Sequence, residues 1–248
     1  MFLFIINRSM KKTILITGAA KRIGASLVKK FHQKGWNIIL HYNTSAQEAE
    51  ELKNSLTNDD NKIVAIRADL QKEADIINLF KEAQTHFEEI DVLINNAAVF
   101  PPKKELKDTS VDFWDNVFDI NLRAQFITTR EFVKHSSKNA KVINFASLGG
   151  LEIWEKRISY NVSKSAVIQL TKALARELAP NIAVNCICPG LVKIDENYFS
   201  IPEENIPMKR YATIDDVFEL AYFLSTCTNY ITGQIISVDG GMSLKKNI

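Results

Sequence analysis

The sequence predicts an α/β fold, a single domain built on one doubly wound parallel sheet of about seven strands with helices on both faces. Three observations predict it. Short apolar runs rich in β-branched residues alternate with stretches of helical periodicity along the chain. The apolar runs, such as Ile14-Leu15-Ile16-Thr17 and Val92-Leu93-Ile94-Asn95, are nearly unbroken, which suits strands buried on both sides. No repeat, Pro/Gly-rich linker or low-complexity tract interrupts them, so residues 10–248 read as one domain after an N-terminal extension of residues 1–9.

Residues 13–17 make the first strand. Ile23, Leu27, Val28 and Phe31 then recur at helical spacing, and Gly35 stands where that helix ends. Strand 36–42, helix 46–56, strand 62–67 and helix 74–87 follow. Residues 92–95 form a fourth strand, and a long helical pattern covers 110–135. Strand 141–146, helix 160–179, strand 182–188, helix 214–224 and strand 235–238 complete the series. Sheets of this kind bind ligands at the carboxyl ends of their strands. Chemistry is therefore expected in the loops after Thr17, Tyr42, Arg67, Asn95, Ala146 and Cys188.

Composition narrows the function classes. The chain is 46% hydrophobic and 24% charged, an ordinary globular balance. A net charge of +2 gives no reason to expect nucleic acid as a partner. No apolar run reaches the roughly 18 residues that a membrane span needs. The three cysteines (Cys186, Cys188, Cys227) offer no disulfide framework, and neither they nor the four histidines fall at metal-ligand spacing. No metal is expected, and a reducing cytoplasm is the simplest home. Residues 1–6 are apolar but short, with Arg8, Lys11 and Lys12 after them, the reverse of a signal peptide.

The first loop reads Thr17-Gly18-Ala19-Ala20-Lys21-Arg22-Ile23-Gly24. Small residues between a strand and a helix let the backbone approach a pyrophosphate, and the helix N-terminus favours the anion. Arg22 adds a cation beside it. An NAD site wants a carboxylate at the end of the second strand to hold the ribose hydroxyls. Here that strand ends Tyr42-Asn43-Thr44-Ser45, and the first acidic residue is Glu48. Neutral donors at a helix start suit a 2′-phosphate, which favours NADPH, while Ser45 can also serve as the N-cap.

Tyr160 and Lys164 are four residues apart and share a helix face with Ile168 and Thr171. A cation beside the phenol is expected to lower its pKa from about 10, fitting it for proton transfer. Ser147 ends the preceding strand, where its hydroxyl can hold a substrate oxygen. Asn121 lies on the face defined by Trp114, Val117, Phe118 and Gln125, where an apolar residue is expected. A buried amide there needs partners.

These residues and spacings resemble the short-chain dehydrogenase/reductase family, from about Lys12 to Leu244. The resemblance implies a Rossmann-type fold, a nicotinamide cofactor and catalysis by Asn121, Ser147, Tyr160 and Lys164. It implies that Gly18, Arg22 and Ile23 bind phosphates, and that Asn43, Thr44 and Ser45 face the ribose. Asp69 would meet the adenine beside Leu70, and Asn96 and Ala97 would line the cleft. Pro189, Gly190 and Val192 would pack on the nicotinamide, whose ribose Lys164 and Tyr160 would hold. Asn121 would open its helix around a proton-relaying water. Family members are usually homotetramers with two-fold axes, and Phe126, Phe132, Val133, Ile168 and Leu170 spread too widely over their helices for one packed stripe.

Arg22 in place of the turn's usual middle glycine, with the His41-Tyr42 segment, resembles the pteridine reductase branch. That branch carries a phenylalanine where this chain has Phe100, stacking a flat pterin with Arg22 reaching the same ring. Ser147 departs from it, because those enzymes usually carry an aspartate there. Carbonyl-reducing members, including the oxoacyl-carrier-protein reductases, use serine. The lid expected over residues 193–209 carries Asp195, Glu196, Glu203 and Glu204, which do not favour a phosphopantetheine carrier. The first reading is a pteridine-type NADPH reductase acting on a small molecule; the alternatives are a carbonyl or oxoacyl reductase on the same scaffold and, from another class, a non-catalytic dinucleotide sensor.

Overall fold

The computed structural model describes residues 11–56, 60–194 and 201–244. The extension read over residues 1–9 lies outside these, as do Asp195 and Glu196 of the expected lid. Along the described chain run β1 (Thr13–Ile16), α1 (Arg22–Gln33), β2 (Asn37–Tyr42), α2 (Ala46–Ser55), β3 (Ile63–Arg67), α3 (Glu73–Gln84) and β4 (Ile90–Asn95). Then come α4 (Val111–Phe118), α5 (Ala124–His135), β5 (Ser136–Phe145), α6 (Ile158–Leu178), β6 (Ala183–Pro189), α7 (Ile214–Thr226) and β7 (Ile235–Val238).

The seven described strands form one sheet in the order β3-β2-β1-β4-β5-β6-β7, with every pairing parallel. This is the doubly wound architecture expected. Successive side chains of a strand point to opposite faces, and two cores follow from that alternation. Ile14 and Ile16 of β1 pack with Leu27 and Phe31 of α1 and Phe218 of α7. Leu15, between them, packs on the other face with Phe80 of α3, Ile127 and Phe132 of α5 and Ala175 of α6. Chain order reverses between β1 and β4, which opens a crevice at their carboxyl ends.

Two elements differ from expectation. The helix expected over 110–135 is divided by a π-helical turn, Asp119–Arg123, lying between α4 and α5. One extra residue per turn shifts the phase of the apolar stripe, which a fixed 3.6-residue period cannot register. β5 begins at Ser136, ahead of the apolar run, because Ser136 pairs with Ile90 across a register shift. Its first residues, Ser136, Ser137, Lys138 and Asn139, are polar and carry no strand pattern. Among the described residues no helix is long and apolar enough to cross a membrane.

Candidate active site

The loop after β1 is held by a lattice of short bonds. Thr17 Oγ1 accepts from the backbone N–H groups of Asn96 and Ala97, both at 3.0 Å. The Asn96 amide donates back to the carbonyls of Thr17 at 2.9 Å and Gly18 at 3.1 Å. Gly18 has a φ of 62°, and a Cβ there would meet Ala97 Cα at 2.8 Å, so only glycine fits. Arg22, exposed at the start of α1, has a φ of 52°, left-handed backbone at a residue with a Cβ. Ile23 is half-buried against the core behind it.

Gly18, Asn43, Thr44, Ser45, Asp69, Leu70 and Ala97 line one cleft at the carboxyl ends of β1 to β4. Ser45 is the N-cap of α2 by position, without a side-chain capping bond. Asn43 Nδ2 donates to Asp69 Oδ1 at 3.5 Å, tying the ends of β2 and β3 together. Small residues, a tight turn and a helix N-terminus fit a dinucleotide in this cleft. At the far end of the crevice, Gly190 N donates to Val238 O at 2.9 Å. Pro189 ends β6, and the buried Val192 bridges to Ala212.

Sequence reasoning passed over His41 as a structural residue. It is 2% exposed, its Nδ1 accepts from Gly18 N at 3.1 Å, and its Nε2 lies 3.1 Å from the Ala68 carbonyl. Its own carbonyl accepts from Ala19 N at 2.8 Å. Accepting at Nδ1 and donating at Nε2 requires the neutral ring. Burial pulls its pKa down to about 4, against the hydrogen bond to Ala68, which raises it. One imidazole on β2 therefore joins the loops after β1 and β3.

Tyr160, Ser147, Lys164 and Asn121 come together where the extended backbone of Ser147 meets α6. A Cβ at Gly150 would lie 2.7 Å from the Lys164 carbonyl carbon, so glycine permits this approach. Ser147 Oγ accepts from Gly149 N at 3.1 Å. Lys164 is 1% exposed and its Nζ donates to Phe145 O at 2.9 Å. Burial lowers its pKa to about 8, with Cys186 and Cys188 opposing. Asn121, wholly buried in the π-turn, donates to Ser163 Oγ and Val99 O, both at 3.1 Å, and accepts from Val99 N at 2.8 Å. Ser163 in turn donates to Tyr160 O at 2.8 Å. The helix is thus opened at Asn121, and its amide joins the loop after β4 to α6.

The phenol corrects one expectation. Burial raises the Tyr160 pKa above its ordinary value. The nearby Ser147 hydroxyl and the charge of Arg157 pull it down without reversing the rise, and Cys188 adds to it. Lys164 lies 6.0 Å from the ring centroid with its ammonium turned to Phe145, and does not depress the phenol as expected.

Phe100 reaches the same place. Its ring meets the Tyr160 ring edge to face at 4.7 Å between centroids. Trp154 lies nearly parallel to Tyr160, at 6.0 Å and 16°. Arg157, which no motif picked out, precedes α6 and donates to the Pro101 carbonyl.

The family model described as enoyl-(acyl carrier protein) reductase matches residues 18–243. A 3-oxoacyl-acyl-carrier-protein reductase of Staphylococcus epidermidis is 31% identical, over 94% of this chain and 99% of its own. Glucose 1-dehydrogenase 2 of Bacillus subtilis is 29% identical, over 94% and 95%. A putative short-chain dehydrogenase/reductase from Burkholderia xenovorans superposes with a TM-score of 0.88 at 30% identity, over 96% of this chain and 100% of that one. A blue fluorescent protein from a metagenomic library, solved with NADPH, gives 0.86 at 26%, over 93% and 97%. With its seven-stranded parallel sheet and near-complete coverage by these relatives, the chain belongs to the short-chain dehydrogenase/reductase family, whose members are oxidoreductases.

Proposed function

We propose that this chain is an NADPH-dependent carbonyl reductase acting on a small molecule, with 3-oxoacyl thioesters the first substrate class to test. One observation carries the reading: the Tyr160 phenol lies close enough to Ser147 for that hydroxyl to pull its pKa down, and the buried ammonium of Lys164 stands 6.0 Å from its ring centroid. When bound, a nicotinamide dinucleotide supplies the hydride. Ser147 then holds the substrate oxygen and Tyr160 gives that oxygen a proton. Lys164, anchored on Phe145, keeps a positive charge behind the phenol and can hold the nicotinamide ribose. Asn121 positions α6 through Ser163. Gly18, Arg22 and Ile23 serve the phosphates, Asn43 to Ser45 the ribose, Asp69 and Leu70 the adenine. Asn96 and Ala97 brace the cleft, while Pro189, Gly190 and Val192 flank the nicotinamide. The Staphylococcus relative's printed activity and the NADPH in the metagenomic neighbour support this reading.

A pteridine-type reductase is the second reading, favoured by the half-exposed Phe100 ring beside Tyr160 and by Arg22 in the turn. Ser147 counts against it, as does the Arg157 guanidinium already lying against Phe100. NADPH oxidation with acetoacetyl coenzyme A, glucono-lactone and dihydrobiopterin in parallel separates the two. Turnover of the pterin alone would reverse the order proposed. Turnover of none, with dinucleotide bound, would favour the sensor. Tyr160→Phe should keep dinucleotide binding and lose roughly 10²–10⁴ in rate.

The proposal extends to a single domain over residues 10–248 in the cytoplasm, assembled as a homotetramer. Phe126 and Val133 of α5 and Val162 of α6 are 47%, 40% and 42% exposed, an apolar surface suited to a second copy. Light scattering at micromolar concentration tests this, and a monomer would overturn it.

A further inference from the structure

We propose that Arg67 selects the phosphorylated dinucleotide, NADPH over NADH, by pairing with its 2′-phosphate. The inference rests on the cofactor reading above. Positions 43 to 45, at the end of β2, carry no cation. The neighbouring strand supplies one. Arg67 is the last residue of β3, in register with Tyr42, the last residue of β2. Its side chain crosses to the β2 loop, where Nε donates to the Asn43 carbonyl at 3.1 Å. That bond holds an exposed guanidinium against the backbone of Asn43, the first of the three residues, Asn43 to Ser45, by which this loop lines the cleft. A guanidinium has five N–H donors. With Nε engaged, the terminal nitrogens carry the other four, in a planar fork that matches phosphate oxygens.

The nearby carboxylates do not neutralise it. Asp69 pairs with Lys72 at 3.7 Å and accepts from Gln71 N at 3.2 Å. Glu48 pairs with Lys21 at 2.6 Å, which also occupies the lysine that lines the cleft. Arg67 enters no ion pair among the described residues. An NADH site needs a hydrogen-bond acceptor for the ribose hydroxyls at this place, and a fixed cation is the opposite provision.

The test is a fluorescence titration of NADPH and of NADH, each against the parent chain, Arg67→Gln and Arg67→Lys. Arg67→Gln should weaken NADPH about tenfold and change NADH by less than about twofold, collapsing the ratio of the two dissociation constants. Arg67→Lys keeps the charge without the fork and should fall between, again for NADPH alone. Raising the salt should shrink the parent's NADPH advantage and leave the Gln variant's ratio almost unmoved. If both dinucleotides weaken equally, Arg67 merely supports the Asn43 loop and the proposal is overturned. Unchanged constants for both overturn it too. A parent chain that binds neither dinucleotide, or prefers NADH, overturns the cofactor reading itself and this inference with it.

Discussion

The guanidinium of Arg157 lies over the face of Phe100, 3.9 Å from the ring centroid. The same side chain donates to the Pro101 carbonyl, and Lys104 N bonds to Lys156 O at 2.8 Å, so the loop after β4 is fastened to the segment before α6. Tyr160 lies on that helix, and the clamp therefore sets the gap between Phe100 and the phenol. A cation–π contact of this exposure is worth about 0.5–1 kcal/mol. Phe100→Ala and Arg157→Ala should each raise KM by about two- to fivefold with a smaller change in kcat. The double variant should be little worse than the stronger single one, because both release the same loop. Fully additive effects in a double-mutant cycle would show that the two side chains act separately.

The alkaline limit of the reductase rate should report Lys164 rather than Tyr160. Burial raises the phenol, so it stays protonated, while Lys164 loses its charge from about 8 upward. kcat/KM for reduction should therefore begin to fall near that pH. Arginine stays charged to above pH 12. Lys164→Arg should run slower at every pH, since its bulk fits poorly, but its profile should lack the break. A break that persists in Lys164→Arg would assign it to another group.

The legible part of the fold was the part with a period. β1, β2, the apolar part of β5 and β6 can be read directly, and their carboxyl ends place Gly18, Asn43, Ser147 and Pro189 at one edge of the sheet. The Tyr160–Lys164 pair was legible because helical spacing fixes a shared face. What escaped depends on pairings between distant segments. His41 looks like any polar residue at a strand end, and only the placement of Gly18 N and Ala68 O on either side of it shows its purpose. The direction in which the Tyr160 pKa moves escaped for a similar reason. Sequence shows the charge four residues away, but neither the burial of the phenol nor the turn of Lys164 toward Phe145.

His41 should make stability fall in acid. Its folded pKa, about 4, lies below the unfolded value of 6.5, so the unfolded chain binds the proton more tightly. The stabilisation is complete above the unfolded value and is lost as pH drops through it toward the folded one. A tenfold difference in proton affinity between the two states is worth about 1.4 kcal/mol, which puts the loss on the order of 3 kcal/mol. His32 and His135, also lowered by burial, act with the same sign. His41→Asn keeps an acceptor for Gly18 N and cannot titrate. Urea unfolding at pH 7 and pH 4.5 should show a smaller difference in that variant than in the parent. Equal differences would remove His41 from the acid response.

Arg22→Gly should be tolerated, and it should weaken the dinucleotide. A side chain at a φ of 52° crowds its Cβ against its own carbonyl. Glycine relieves about 1 kcal/mol of that strain, partly offset by the freer unfolded chain. The variant should thus unfold at the same urea concentration as the parent or slightly higher. Arg22→Ala keeps the Cβ and should gain nothing, which separates strain from charge. Both variants lose the cation at the start of α1, so both should bind NADPH more weakly than the parent and to a similar degree. A Gly variant destabilised by more than about 1 kcal/mol would mean that the arginine side chain itself holds the turn. Its retention in place of glycine would then be structural rather than a provision for phosphate.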